Sequence, residues 1–158
     1  MDTLGQGTAL GHAGVLWSDD RLLGYGPMDE THREFYDVVF RLLTCQADTA
    51  LDALAGVTRH AREHFEQENG WMQSTGFPSG QCHIDEHDAV LRSLTEVEQA
   101  LREGRANETL AHQLAEHLLA WFPGHADYMD SALAAWMSKR QYGGKPVVIK
   151  RHLDDTLA

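Results

Sequence analysis

The chain has 158 residues, of which 42% are hydrophobic and 23% charged, a composition that fits one globular domain with a single buried core. Its formal net charge of −11 argues against nucleic acid or an anionic membrane as a partner, because both would repel it. No apolar run approaches the roughly 20 residues of a membrane-spanning helix, and the N-terminus lacks the basic and apolar regions of a secretory leader, so a cytoplasmic location is expected.

Residues 1–15 are Gly-rich and unpatterned, and are read as an N-terminal arm. From Trp17 an irregular, partly apolar stretch through Leu22, Leu23 and Tyr25 to Pro27 is expected to pack across the end of a bundle. A first helix is predicted over Met28–Thr44, where His32, Phe35, Tyr36, Val39, Leu42 and Leu43 fall on one stripe. His32 heads that stripe.

A second helix is predicted from Ala47 to about Trp71, Ala- and Leu-rich at first and His- and Glu-rich later, stopping at the breaker cluster Ser74–Gly80. A third runs from about Gln81 to Arg102, with His83, His87, Val90, Leu91 and Leu94 on one face. The fourth spans about Glu108–Arg140 and carries Leu118, Trp121, Phe122, His125, Tyr128, Met129, Ala132, Leu133 and Trp136 as a continuous stripe. Pro123 falls inside it, where the missing N–H predicts a kink or a restart just before His125. Residues 141–158 form a tail in which Pro146–Ile149 suggests a short extended segment.

Four long amphipathic helices with short links imply an all-α fold, an antiparallel up-down-up-down four-helix bundle over residues 16–140. That topology sets the start of the first helix, the end of the second, the start of the third and the later part of the fourth at one level. The polar residues that interrupt apolar stripes sit at those places: His32, His64, Glu68, His83, His87, His125 and Asp130. A buried His or Glu needs a partner to offset its desolvation, and a metal is one. Any one of the seven could instead sit in water at the edge of its stripe; recurrence on all four helices favours the metal.

The i, i+4 pairs His64/Glu68 and His83/His87 each lie on one helix face. Asp130 follows His125 by five residues, about 140° around an ideal helix, so the two are expected to approach a centre from different angles, as suits a carboxylate reaching between two metals. Five imidazoles, two bridging carboxylates and a bridging oxide or hydroxide fill eleven of the twelve positions of two octahedral metals, leaving one open. A mixed imidazole and carboxylate shell suits iron better than calcium or magnesium.

The segments M-D-E-T-H, H-F-E-Q-E, H-I-D-E-H and W-F-P-G-H-A-D-Y-M-D resemble the ligand segments of the hemerythrin family, bacterial members included, over about Trp17–Arg140. The resemblance implies two irons (Fe2+/Fe3+) bridged by Glu68 and Asp130, one completed by His83, His87 and His125 and the other by His32 and His64. It implies a dioxygen site at the second iron, walled by Phe35, Phe65, Trp121 and Phe122 and open to azide or nitric oxide as well. Thr31 stands where the family often has Gln, Pro123 interrupts the W-x-x-x-H segment, and the tail has no counterpart.

A shell of five neutral imidazoles and only two carboxylates disfavours high-valent iron, so reversible oxygen binding for storage, delivery or sensing is expected rather than an enzyme. The alternatives are a di-iron oxidase, peroxidase or nitric-oxide-handling enzyme, or a sensing module; no further acid/base group is evident beside the ligands. His60 is read as an outer neighbour of the site or solvated, His12, His112, His117 and His152 as solvated, and Cys45 and Cys82 as buried free thiols.

Overall fold

The computed structural model describes residues 17–150, so the arm at 1–15, His12 and His152 lie outside the described residues. A single 3-10 turn at Asp19–Arg21 precedes α1 (Gly26–Leu43), α2 (Ala50–Thr75), α3 (Gly80–Arg102) and α4 (Glu108–His125). The chain then makes a π-helical turn, Ala126–Asp130, and continues as α5, Ser131–Tyr142. Among the described residues there is no strand, and no helix is long and apolar enough to cross a membrane.

Local chemistry sets the helix limits. Pro27 stands in the first turn of α1, where its missing N–H costs nothing. The Asp29 carboxylate accepts the N–H groups of Leu23 and Gly24 at 2.7 and 3.0 Å, tying the incoming loop to that turn. The α2 helix ends where Gly76 turns left-handed at φ 63° and the Phe77 N–H reaches back to the Met72 carbonyl at 2.9 Å, a Schellman-type stop. Asn107 caps α4 by accepting the Thr109 N–H at 3.0 Å.

The helices pack as a bundle, with α1 against α2 and α4, and α2 against α3. A thinner seam joins α3 to α4. Apolar burial divides into two clusters. The larger contains Phe35, Tyr36, Val39, Leu42, Leu54, Phe65, Leu94, Leu118 and Phe122; the smaller contains Tyr25, Met28, Met72, Leu133 and Ala134. On α1, His32 falls in sequence between Met28 of the smaller cluster and Phe35 of the larger, and on α2 Glu68 falls between Phe65 and Met72, so a polar layer separates them.

Of the stretch before α1, Leu23 and Tyr25 join the smaller apolar cluster, while Trp17 packs beside α1, its ring centroid 5.9 Å from that of Tyr36. Two expectations change. Cys82 is exposed, since its neighbour His83 takes the inward position on α3; only Cys45 is buried. His112 is not solvated, because its Nε2–H donates to the Cys45 carbonyl at 2.7 Å, whereas His117 is exposed.

The described part of the tail has no regular structure and returns to the loop before α1. Gly24, at φ 87°, passes so close to it that an added Cβ would meet Pro146 Cβ at 2.7 Å. Lys150 Nζ pairs with Asp20 Oδ1 at 2.9 Å.

Candidate metal centre

All seven polar residues singled out on the apolar stripes converge in the layer between the two clusters, each at most 3% exposed. His32 comes from the second turn of α1, His64 and Glu68 from α2, His83 and His87 from the start of α3, His125 from the last residue of α4, and Asp130 from the end of the π-turn.

The carboxylates divide these side chains into two groups. Glu68 turns Oε1 towards His64 Nε2 at 2.8 Å and His32 Nε2 at 3.6 Å, and Oε2 towards His87 and His83 at 3.2 and 3.4 Å. Asp130 repeats the pattern: Oδ2 lies 3.1 Å from His32 Nε2, while Oδ1 lies 2.9 Å from His83 Nε2 and 3.1 Å from His125 Nε2. Two sets of donor atoms follow, Glu68, His83, His87, His125 and Asp130 in one and His32, His64, Glu68 and Asp130 in the other, each set within 4.8 Å.

The π-turn explains how Asp130 reaches both. An ideal α-helix would have swung it far from His125, but the wider turn, closed by the Ser131 N–H on the Ala126 carbonyl, returns the fifth residue to nearly the same face. Pro123 neither stops nor restarts the helix; the irregularity falls three residues later.

Do these residues fit metal ions? His87 Nδ1–H donates to Asn69 Oδ1 at 2.8 Å, and His125 Nδ1–H donates to Glu86 Oε1 at 3.2 Å. In the neutral rings that leaves lone pairs on both Nε2 atoms, which face each other at 3.3 Å. Two buried lone pairs at that distance repel unless a cation lies between them. His32 Nε2, Glu68 Oε2 and both Asp130 oxygens are also buried without an aligned hydrogen bond, although opposite charges stand within ion-pair distance. Atoms that converge without pairing fit a shared cation, and the mixed nitrogen and oxygen set fits iron.

The protonation pattern agrees. Burial opposes charge on His32 and His83, but Asp130 and Glu68 outweigh it and push both pKa values up to about 9. Burial works against ionised Glu68 and Asp130 too, yet the surrounding imidazoles hold both carboxyls well below their usual range. Without metal, protons take the place of cations.

The aromatic residues surround the two groups unequally. Phe122 meets the His32 ring edge-on at 4.9 Å, and Phe35 stacks on Phe122 at 4.3 Å. Phe65 lies 5.2 Å from the His64 ring and stacks on His87 at 4.0 Å. Trp121 lies over His125 at 4.5 Å, on the three-histidine side.

His60 is not solvated. Its side chain is 12% exposed, with Nδ1 3.8 Å from Glu34 Oε2, and burial followed by His64 lowers its pKa to about 4. His60, Glu86 and Asn69 are therefore polar neighbours of the centre. The second and third were missed in the sequence because neither interrupts an apolar stripe.

A helical bundle enclosing a carboxylate-linked pair of imidazole clusters defines a class, the bundle proteins with a cation-binding core. Residues 23–137 match the family described as the hemerythrin HHE cation binding domain. The chain belongs to the hemerythrin family. It is 31% identical over 126 residues to the bacteriohemerythrin of Ralstonia nicotianae, covering 80% of this chain and 90% of that relative. It is 22% identical over 142 residues to the bacteriohemerythrin of Stenotrophomonas maltophilia, covering 82% of this chain and 91% of that protein. No solved structure matches the chain.

Proposed function

We propose that this chain is a non-haem di-iron protein that binds dioxygen reversibly, with His83, His87 and His125 holding one iron, His32 and His64 the other, and Glu68 and Asp130 bridging them. The observation that carries the reading is the split of each carboxylate, one oxygen towards each imidazole group. An iron pair held there would supply the electrons that reversible capture of dioxygen needs.

The chain's own residues do the rest. Three imidazoles crowd one half and two the other, so a small ligand would find room on the His32/His64 half. Phe122, Phe35 and Phe65 close that half with apolar surface. Excluding water from that half would keep proton donors away from a bound small ligand and so slow its irreversible loss.

The same placement supports the antiparallel up-down-up-down topology, with residues 16–140 as the bundle. The start of α1, the later part of α2, the start of α3 and the end of α4 share the metal layer. At the other end Cys45, two residues past α1, meets His112 near the start of α4. We take the role to be oxygen storage, delivery or sensing rather than turnover, in the cytoplasm, with no nucleic-acid or membrane partner.

The test is an optical titration of reduced, iron-loaded protein between anaerobic and aerobic buffer. A visible band that rises with oxygen and falls on its removal is the expected result. A fully loaded, reduced sample with no such band overturns oxygen binding, and substrate-dependent turnover would favour an enzyme instead.

A further inference from the structure

His125 is the only member of the three-histidine group on α4, and it stands where the regular helix gives way to the π-turn. The α3–α4 seam beside it is thin. Little backbone packing therefore sets its ring against those of His83 and His87, which share α3. Side chains make up the difference. Glu86, between those two histidines on α3, accepts the His125 Nδ1–H through Oε1 at 3.2 Å. The same oxygen accepts the Trp121 Nε1–H at 3.0 Å, and the Trp121 indole lies over the His125 ring, with centroids 4.5 Å apart and planes 29° apart.

We infer that Glu86 and Trp121 form a positioning pair for His125. They fix its tautomer, so that the Nε2 lone pair faces the metal layer, and Glu86 places a negative charge behind that ring. This rests on the two-metal reading above. A carboxylate behind a ligating imidazole makes it a stronger donor and favours the more highly charged metal state. The other anchored ring, His87, has only the neutral amide of Asn69 behind it. The Glu86 side chain is 35% exposed, so water solvates its charge and the desolvation cost stays low. Trp121 keeps that charge directed, since its N–H binds the oxygen already bound by His125.

Because both contacts use one oxygen, Glu86→Gln can retain both while removing the charge. Glu86→Ala removes both. Three readouts separate positioning from general support of the fold: the His125 Nδ1–H resonance in zinc-loaded protein, zinc release into a chelator, and the midpoint potential of iron-loaded protein. Glu86→Ala should lose the slowly exchanging resonance and release one of two metals about 10–100-fold faster than wild type. Trp121→Phe should fall between the two. Glu86→Gln should release metal more slowly than Glu86→Ala and raise the potential.

Release by Glu86→Ala at the wild-type rate, or an unmoved potential in Glu86→Gln, overturns the role. Should Glu86→Ala fail to fold, Glu86→Gln alone decides through its potential. A wild-type chain that takes up no metal overturns the two-metal reading as well; one holding two metals while both variants behave as wild type overturns only the positioning pair.

Discussion

The two halves of the centre share Glu68 and Asp130 and differ in almost everything else. In the three-histidine half, His87 and His125 each have an outer partner on Nδ1, Asn69 and Glu86, which fix those two rings from behind, while His83 Nδ1 is buried without one. In the two-histidine half, the Nδ1 atoms of His32 and His64 are buried without a hydrogen bond, and the surrounding groups are Phe122, Phe35 and Phe65, with the His60 ring 5.7 Å from that of His64. One half is the more firmly anchored by polar partners, and the other is the more apolar.

Mutation of a shared carboxylate should have the largest effect on the centre. Glu68→Ala should empty both halves, and the loaded protein should lose the stabilisation that ligand binding adds, about 2.7 kcal/mol per site at a hundredfold excess over Kd. Metal analysis and thermal unfolding of loaded samples check this; retention of both metals would mean the halves do not depend on Glu68.

Single histidine changes should divide the halves. His64→Ala leaves one ring in its half and should reduce the metal content from two to about one. His87→Ala leaves two rings and both carboxylates and should lower affinity rather than stoichiometry. Equal losses in the two variants, measured by metal analysis after dialysis, would erase the asymmetry. Next comes Phe122→Ala, which opens a cavity beside His32 without touching a ligand. It should cost about 3 kcal/mol of stability in denaturant unfolding and hasten loss of the oxygenated spectrum while both metals stay bound.

The metal-free protein should respond to pH through the same groups. His32 and His83 have folded pKa values of about 9 against an ordinary 6.5, so their contribution is complete below pH 6.5 and is lost as the pH rises through 9. Glu68 and Asp130 are depressed below ordinary values of 4.5 and 3.8, so their contribution is present above that range and is lost as the pH falls. Metal-free protein should be most stable between those limits, and a metal-loaded sample, in which cations replace the protons, should lose less on the alkaline side. The smallest effect should come from outside the centre: Gly76→Ala, at φ 63°, should cost about 1 kcal/mol and leave metal content unchanged.

The helices and the convergent residues were legible because both leave a periodic trace. His32 interrupts the stripe of Phe35, Val39 and Leu42, and a polar residue on an apolar face asks for a partner. The π-turn leaves no such trace: Pro123 pointed to a break before His125, whereas the departure lies in the backbone bonds after it, and five-residue spacing reads as misalignment until those bonds are known. Glu86 was hidden for a different reason. It points across a helix seam to Trp121 and His125, a pairing that no pattern within one helix reports. His112 and Cys82 were misread because burial at a flank depends on the neighbouring element, not on the residue's own stripe.

Anomalous diffraction at the iron edge from crystals of reconstituted protein would test the paired centre most directly. Two peaks are predicted, one among His83, His87 and His125 and one beside His32 and His64, with Glu68 and Asp130 contacting both. A single peak, or two peaks that share neither carboxylate, would contradict it.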